Sequence, residues 1–164
     1  MTEFIKPIWL LPDEAEIART VTGTSFTVLG TPVAQGSKRA IVRGGKAVLL
    51  EMGVGHHSWR AAVALAAFQA RQTLDVTLDG PLHVTARFRF QMPASRPKAT
   101  REAGECWKIS APDLDKLARA LGDGLTEGGL IVDDRCIVEW VLSKIETTGW
   151  TGAEIHIKQI EGQP

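Results

Sequence analysis

The chain has 164 residues, 44% of them hydrophobic and 23% charged. That length holds one domain with a real core, and the ordinary composition excludes a low-complexity or disordered chain. Lys plus Arg and Asp plus Glu balance at 19 each, which excludes a uniformly basic nucleic-acid binder and leaves charge distribution to decide.

Residues 1–24 read as a terminal extension ending in turn chemistry, Thr22-Gly-Thr-Ser25. Its apolar run, Ile8-Trp-Leu-Leu11, is too short for a signal peptide and follows Glu3. No stretch approaches the length of a membrane span, so the expected location is the cytoplasm, with no membrane partner. Phe26-Thr-Val-Leu29 predicts a short strand, and Gly30 to Arg39 a loop by its Gly and Pro content. Lys46 to Glu51 predicts a second strand, paired with residues 40–43 through the Gly44-Gly45 turn. Residues 57–72 are Ala-rich and predict a helix with Trp59, Val63, Ala67 and Ala70 along one side. His56-His57, just ahead of it, reads as an exposed turn rather than a metal site.

Leu82 to Phe90 alternates strictly: Leu82, Val84, Ala86, Phe88 and Phe90 face one way, His83, Thr85, Arg87 and Arg89 the other. This is the pattern of a half-buried strand with a basic outer face. Residues 91–111 form a long polar connection, functional or mobile by its length, and Trp107 is its one aromatic placed to meet a nucleic acid. A helix over 114–125 carries the apolar stripe Leu114, Leu117, Ala118, Leu121 and Leu125, and Gly128-Gly129 breaks it. Arg135 to Glu146 is apolar on both alternating faces, which predicts a central strand covered on both sides. Residues 153–160 alternate again and give a last strand. Trp59, Trp140 and Phe88 are expected in the core, and His83 and His156 are expected to be structural. The two cysteines, Cys106 and Cys136, have no metal-ligand spacing and read as reduced thiols. The fold class is α+β: a single mixed β-sheet with two main helices.

Charge is segregated along this chain. Residues 37–46 hold Lys38, Arg39, Arg43 and Lys46 without an acid, and residues 87–101 hold Arg87, Arg89, Arg96, Lys98 and Arg101 without one. The acids gather beyond residue 113. Asp113 and Asp115 open the second helix, Asp123 lies further along it, and Asp133-Asp134 follow one short segment later. Asp115, Lys116, Arg119 and Asp123 fall on the side of that helix away from its leucines. Packed carboxylates repel one another unless a cation holds them, and hard oxygen ligands suit Mg²⁺ or Mn²⁺. If the strand after Gly129 runs back along the helix, Asp133 and Asp134 return towards the same end as Asp113. Taken singly, Asp113 is a helix cap, Asp115 and Asp123 are solvated, and Asp133-Asp134 is a turn. Interleaved with Lys116 and Arg119, the set points to a cation site.

The run Pro112-Asp-Leu-Asp-Lys-Leu-Ala-Arg-Ala-Leu-Gly-Asp-Gly-Leu125, followed by Gly129-Leu-Ile-Val-Asp-Asp-Arg-Cys-Ile-Val138, resembles the signature of the RusA family of Holliday junction resolvases. The loop Gly30 to Arg39 is similar to the family's first Gly-Pro-basic loop, and the likeness spans roughly residues 26–160. It implies a RusA-like homodimeric endonuclease domain over residues 25–164 that cuts branched DNA with Mg²⁺, Mn²⁺ being possible. It implies Asp113, Asp115 and Asp134 as metal-binding carboxylates, with Asp133 the first of the acidic pair. The family's catalytic lysine, four positions after the second carboxylate, is Arg119 here. Arg keeps the charge and can grip a phosphate in a fork, but it does not readily exchange a proton. Proton transfer then falls to water or to Lys116, one turn earlier.

On this reading the carboxylates and their metal activate water and relieve charge at phosphorus, and Arg119 or Lys116 adds charge stabilisation. Lys38, Arg39, Arg96, Lys98 and Arg101 are the expected phosphate-backbone contacts, which position without reading sequence. A resolvase nicks a two-fold symmetric junction in pairs, which suits a C₂ dimer. Two alternatives stand beside it: a catalytically silent branched-DNA-binding protein of the same fold, and a structural cation site in a protein unrelated to DNA.

Overall fold

In β4, Leu82–Gln91, the side chains at 82, 84, 86, 88 and 90 are buried, while those at 83, 85 and 87 are half-buried. The strict alternation of the sequence is therefore the geometry of the strand. The structure is a computed structural model describing residues 22–35, 38–43, 46–51 and 56–160, with side chains between 38 and 57 left outside that description. Residues 1–21, most of the expected terminal extension, lie outside the described residues.

β4 is the middle strand of a five-stranded sheet. On one side it pairs antiparallel with β7, Gly152–Gln159, which pairs antiparallel with the edge strand β1, Gly23–Leu29. On the other it pairs parallel with β6, Ile137–Thr147, and the three-residue β5, Glu105–Trp107, is antiparallel to β6. Phe26, Ile155, Ala86 and Leu142 are register partners in one row across the sheet. They face α1, His56–Leu74, and α3, Leu114–Glu127, and the joint core includes Trp59, Val63, Ala67, Phe88, Leu117, Leu121 and Leu125. The opposite sheet face forms a groove of about 830 Å³ lined by Ser25, Thr85, Arg87, Val141 and His156, among others. There His83 binds Glu139 at 2.7 Å and His156 binds Ser25 at 2.7 Å, so both histidines serve the sheet.

The two long helices approach closely because α3 presents glycine to α1. A Cβ on Gly124 would fall 2.6 Å from Val63 Cγ1, and one on Gly128 would collide with the Ala64 carbonyl oxygen. The end of α3 closes as its Gly-Gly pair predicts. Gly129 takes φ +69°, its N–H bonds Thr126, and the Leu130 N–H bonds Leu125, the Schellman pattern.

The pairing expected between Lys46–Glu51 and residues 40–43 is present: β2, Lys38–Arg43, and β3, Lys46–Glu51, form a two-stranded antiparallel ribbon apart from the main sheet, with Arg43 opposite Lys46. Two expectations change. The connection over 91–111 is not plain coil, since it contains the short α2, Lys98–Glu102, and β5. β6 is not covered on both sides. Val138 within it is 63% exposed, and among the described residues no strand pairs with the outer edge of its first part, since β5 pairs only with Ile145–Thr147. Apolar periodicity alone cannot distinguish a buried strand from one whose second apolar face lines an open groove.

Candidate active site

The first helical turn of α3 sets the first carboxylates. Pro112, joined to Ala111 by a cis peptide, precedes Asp113, whose extended backbone (φ −75°, ψ 143°) makes it the N-cap residue. The Asp113 side chain caps no backbone N–H. It accepts from the Lys116 ammonium instead, at 3.0 Å, one turn along. That hydrogen bond and the charge of Asp113 hold Lys116 above the usual lysine range, so Lys116 stays protonated. The Lys116 carbonyl accepts from Gln35 N–H at 3.2 Å, which ties the loop after β1 to this turn. Lys38 and Arg39 follow in β2, with side chains outside the described residues.

Asp115, Arg119 and Gly122 stand at i, i+4 and i+7, one stripe along the helix surface. Asp115 and Arg119 are exposed. Among the described residues neither makes a side-chain hydrogen bond or ion pair, and the same holds for Asp134. Gly122 is buried, and the Asp134 side chain lies over it. A Cβ there would sit 3.2 Å from Asp134 Cβ and 3.6 Å from its Oδ2.

The acidic pair divides its work. Asp133 caps the 3₁₀ turn Asp134–Cys136 by accepting from Arg135 N–H at 3.0 Å, and Arg135 Nε lies 3.7 Å from the same oxygen. Asp134 is left exposed. The sequence allowed the pair to return to the start of α3 if the following strand ran back along it, and Asp134 instead lies further along the helix. Asp134 meets the helix at Gly122, about 10 Å along the axis from the level of Asp115 at 1.5 Å per residue. The cause is a long-range contact: Leu78 N–H bonds Leu130 and Val132 N–H bonds Leu78, which pin the chain near the far end of the helix. Asp123, the remaining helix acid, is half-buried one residue beyond that contact.

Among the described residues, no three His, Cys, Asp or Glu side chains are grouped to hold a metal ion. Asp113 with Asp115, and Asp134 with Asp133, are pairs of hard oxygen donors. Such pairs fit Mg²⁺, which keeps several waters and takes one or two carboxylates plus substrate phosphate oxygens. They do not fit an all-protein cage.

A second set of charges fixes the approach to Asp113. Trp140, Leu142, Lys144 and Glu146 of β6 share the core-side face with Val84, Ala86, Phe88 and Phe90. Glu146 is 1% exposed and accepts from Arg96 Nε at 2.7 Å, with Lys108 Nζ at 3.7 Å and the Cys106 thiol at 3.8 Å. The Arg96 hydrogen bond holds its carboxyl below the usual carboxylate range against the opposing effect of burial. The Lys108 ammonium also lies 5.1 Å above the Phe90 ring. Lys144 donates to the carbonyl oxygens of Ser110 at 2.8 Å and Pro112 at 2.6 Å. Sequence reasoning passed over Lys144 and Glu146. The signal was there: two charges at core-phase positions of a strand.

The expected DNA-facing cations are spread out. Arg96 has its Nε engaged by Glu146, Lys98 lies 3.6 Å from Glu102 on the surface of α2, and Arg101 is exposed on the same helix. The outer face of β4 is not freely basic either, since Arg87 and Arg89 each hold a Glu105 oxygen at 2.6 Å. Trp107 is 53% exposed and Ile109 89% exposed on the strand and loop leading to Asp113. No helix among the described residues is long and apolar enough to cross a membrane.

The sequence matches the family model described as Endodeoxyribonuclease RusA over residues 30–158. It is also 31% identical to "Uncharacterized protein YqaN" of Bacillus subtilis (strain 168) over 124 residues, 73% of this chain and 84% of that protein. The match leaves out β1 but spans the other four strands of the sheet, to within one residue of the end of β7, with both long helices and every carboxylate of the acidic stripe, and the chain belongs to the RusA family of endodeoxyribonucleases.

Proposed function

We propose that the chain hydrolyses phosphodiester bonds in branched DNA, four-way junctions first, with Mg²⁺ or Mn²⁺ and as a C₂ homodimer in the cytoplasm. The observation that carries this reading is the stripe Asp115–Arg119–Asp134. It places exposed Asp115 and Arg119 on one stripe of a helix and exposed Asp134 against Gly122, the next position of that stripe, and none of the three side chains makes a hydrogen bond or ion pair among the described residues. Unpaired charges of both signs in one row suit a ligand that brings phosphate and a cation together. Family membership supplies the reaction class.

A bound divalent cation would supply water activation and charge neutralisation at phosphorus. The candidate holders are Asp113, Asp115 and Asp134, with Asp133 beside them. Arg119 presents a forked donor to a non-bridging phosphate oxygen and stabilises the charge that grows there. Lys116, kept protonated by Asp113, adds a second positive charge at the helix start. In the reaction, water oxygen bonds to phosphorus and gives up a proton to solvent water, one P–O ester bond breaks, and the departing oxygen takes a proton. Arg119 donates no proton, so Lys116 or water provides it. Lys38, Arg39, Lys98 and Arg101, with the remaining nitrogens of Arg96, are the candidate backbone contacts.

Synthetic four-way junction, flap and linear duplex DNA are incubated with the protein in Mg²⁺, Mn²⁺ or EDTA. Metal-dependent nicking of the junction is expected. The dispersal of the carboxylates favours a second reading, a junction-binding protein without catalysis. EDTA-insensitive binding with no cutting in either metal would establish it.

A further inference from the structure

Asp113 is exposed, caps no backbone group with its side chain, meets the Lys116 ammonium of its own helix at 3.0 Å, and follows a polar connection of some twenty residues. Lys116 engages the carboxylate, but the backbone that carries it must be set from outside the helix. The last part of that connection, residues 108–112, is held by one residue of the sheet. The Lys144 carbonyl accepts from Lys108 N–H at 3.2 Å. The Lys144 ammonium donates to Ser110 O at 2.8 Å and to Pro112 O at 2.6 Å. Charge-assisted bonds of this kind are short and about twice as strong as neutral ones. Lys144 sits in register with Phe88, a fully buried residue of the central strand, so the anchor is rigid.

Pro112 O is the decisive acceptor. The peptide group is planar, and its six atoms include both the carbonyl oxygen of Pro112 and the Cα of Asp113. Holding that oxygen restrains the plane from which the Asp113 side chain departs. β6 thereby governs both ends of the acidic stripe: Asp134 lies three residues ahead of its first residue, Ile137, and Lys144 within it fixes Asp113.

We propose that Lys144 is a positioning residue: its ammonium fixes the Pro112–Asp113 peptide plane and so aims the Asp113 carboxylate at the cation. This rests on the nuclease reading above. Partners that orient metal ligands typically cost 10–100-fold in metal affinity or activity when removed.

The test compares wild type, Lys144→Met, Lys144→Gln and Lys144→Arg. Mn²⁺ binding to the protein without DNA is followed by the EPR signal of free Mn²⁺. Single-turnover cleavage of a four-way junction is measured across an Mg²⁺ titration, junction affinity in EDTA, and folding by thermal melting. Lys144→Met should stay folded and bind junction as wild type does. Its Mn²⁺ affinity and Mg²⁺ midpoint should each weaken about ten-fold or more, and Lys144→Arg should restore part of the loss. A folded Lys144→Met with wild-type Mn²⁺ affinity and Mg²⁺ midpoint overturns the proposal. If Lys144→Met does not fold, Lys144→Gln decides by the same criterion. If neither folds, Lys144 is a fold residue and the assignment fails. A wild type that cuts junction beside unaffected variants refutes the positioning role alone, whereas a wild type that cuts nothing in either metal removes the nuclease reading and this role with it.

Discussion

Asp134 lies against the bare Cα of Gly122, so near that a Cβ there would stand 3.2 Å from the Asp134 Cβ. A glycine in the interior of a helix is destabilising by about 1 kcal/mol relative to alanine. Here it makes room for a carboxylate of the proposed site. Gly122→Ala should therefore separate stability from function. Asp134 is exposed on a one-turn 3₁₀ segment and can retreat by a few tenths of an ångström. The melting temperature should hold or rise, while single-turnover cleavage falls about ten-fold, because misplacing a reacting group by about 1 Å can cost 100-fold. Wild-type cleavage in this variant would mean that the contact is incidental.

Gly124, two residues on, should behave oppositely. A Cβ there meets Val63 at 2.6 Å inside the α1–α3 interface, with no side-chain tip able to swing away. Gly124→Ala should destabilise by about 1–3 kcal/mol, the usual range for overpacking a core. Urea denaturation checks it through the transition midpoint. A midpoint at or above that of wild type would contradict the close packing of the two helices.

Most of the fold was legible because its signals are local. Alternation found β4 and β7, the 3.6-residue stripe found α1 and α3, and Gly128-Gly129 marked the helix end that Gly129 closes at φ +69°. Long-range placement was less legible. The sequence allowed Asp134 near Asp113, and its position against Gly122 depends on two hydrogen bonds to Leu78, more than fifty residues away in sequence. The acidic run was visible in the sequence and the family resemblance singled out its carboxylates, but the contacts around them were not visible. Lys144 and Arg96 acquire meaning only when β6 brings residues 110, 112 and 146 together.

Substitutions in the acidic stripe should sort by role. Asp113→Asn and Asp134→Asn should abolish cleavage while junction binding survives, since each loses a charge that a cation needs but not one that DNA needs. Arg119→Ala should lower the single-turnover rate about 100-fold, the typical loss of one transition-state donor. Arg119→Lys restores a single charge without the fork and should recover much of that loss. Full cleavage by either Asp variant would sink the assignment of the site.

Junction affinity should fall steeply with salt, because phosphate contacts release counterions. Lys98→Ala and Arg101→Ala should each flatten the slope of log affinity against log salt by about one unit if each contacts one phosphate. Arg96→Ala should differ, acting through stability as well, since its Nε holds buried Glu146. A salt-independent affinity would remove the backbone-contact role from all of them.

Glu146 gives the acid side of the stability profile. Its carboxyl is held below the usual carboxylate range, mainly by the Arg96 hydrogen bond, so the folded state binds its proton less readily than the unfolded chain does. A group with a depressed folded pKa contributes fully above its unfolded value and loses that contribution as pH falls through the folded one. The stabilisation should thus be complete near neutrality and vanish on acidification below the normal Glu range, about pH 4.3. Glu146→Gln should lower the melting temperature at pH 7 by several degrees, and the gap to wild type should narrow steadily towards pH 3. Melting curves of the two proteins across that range decide it. A gap that stays constant with pH would show that Glu146 acts through its shape and hydrogen bonding, and that its charge contributes nothing to holding the approach to Asp113.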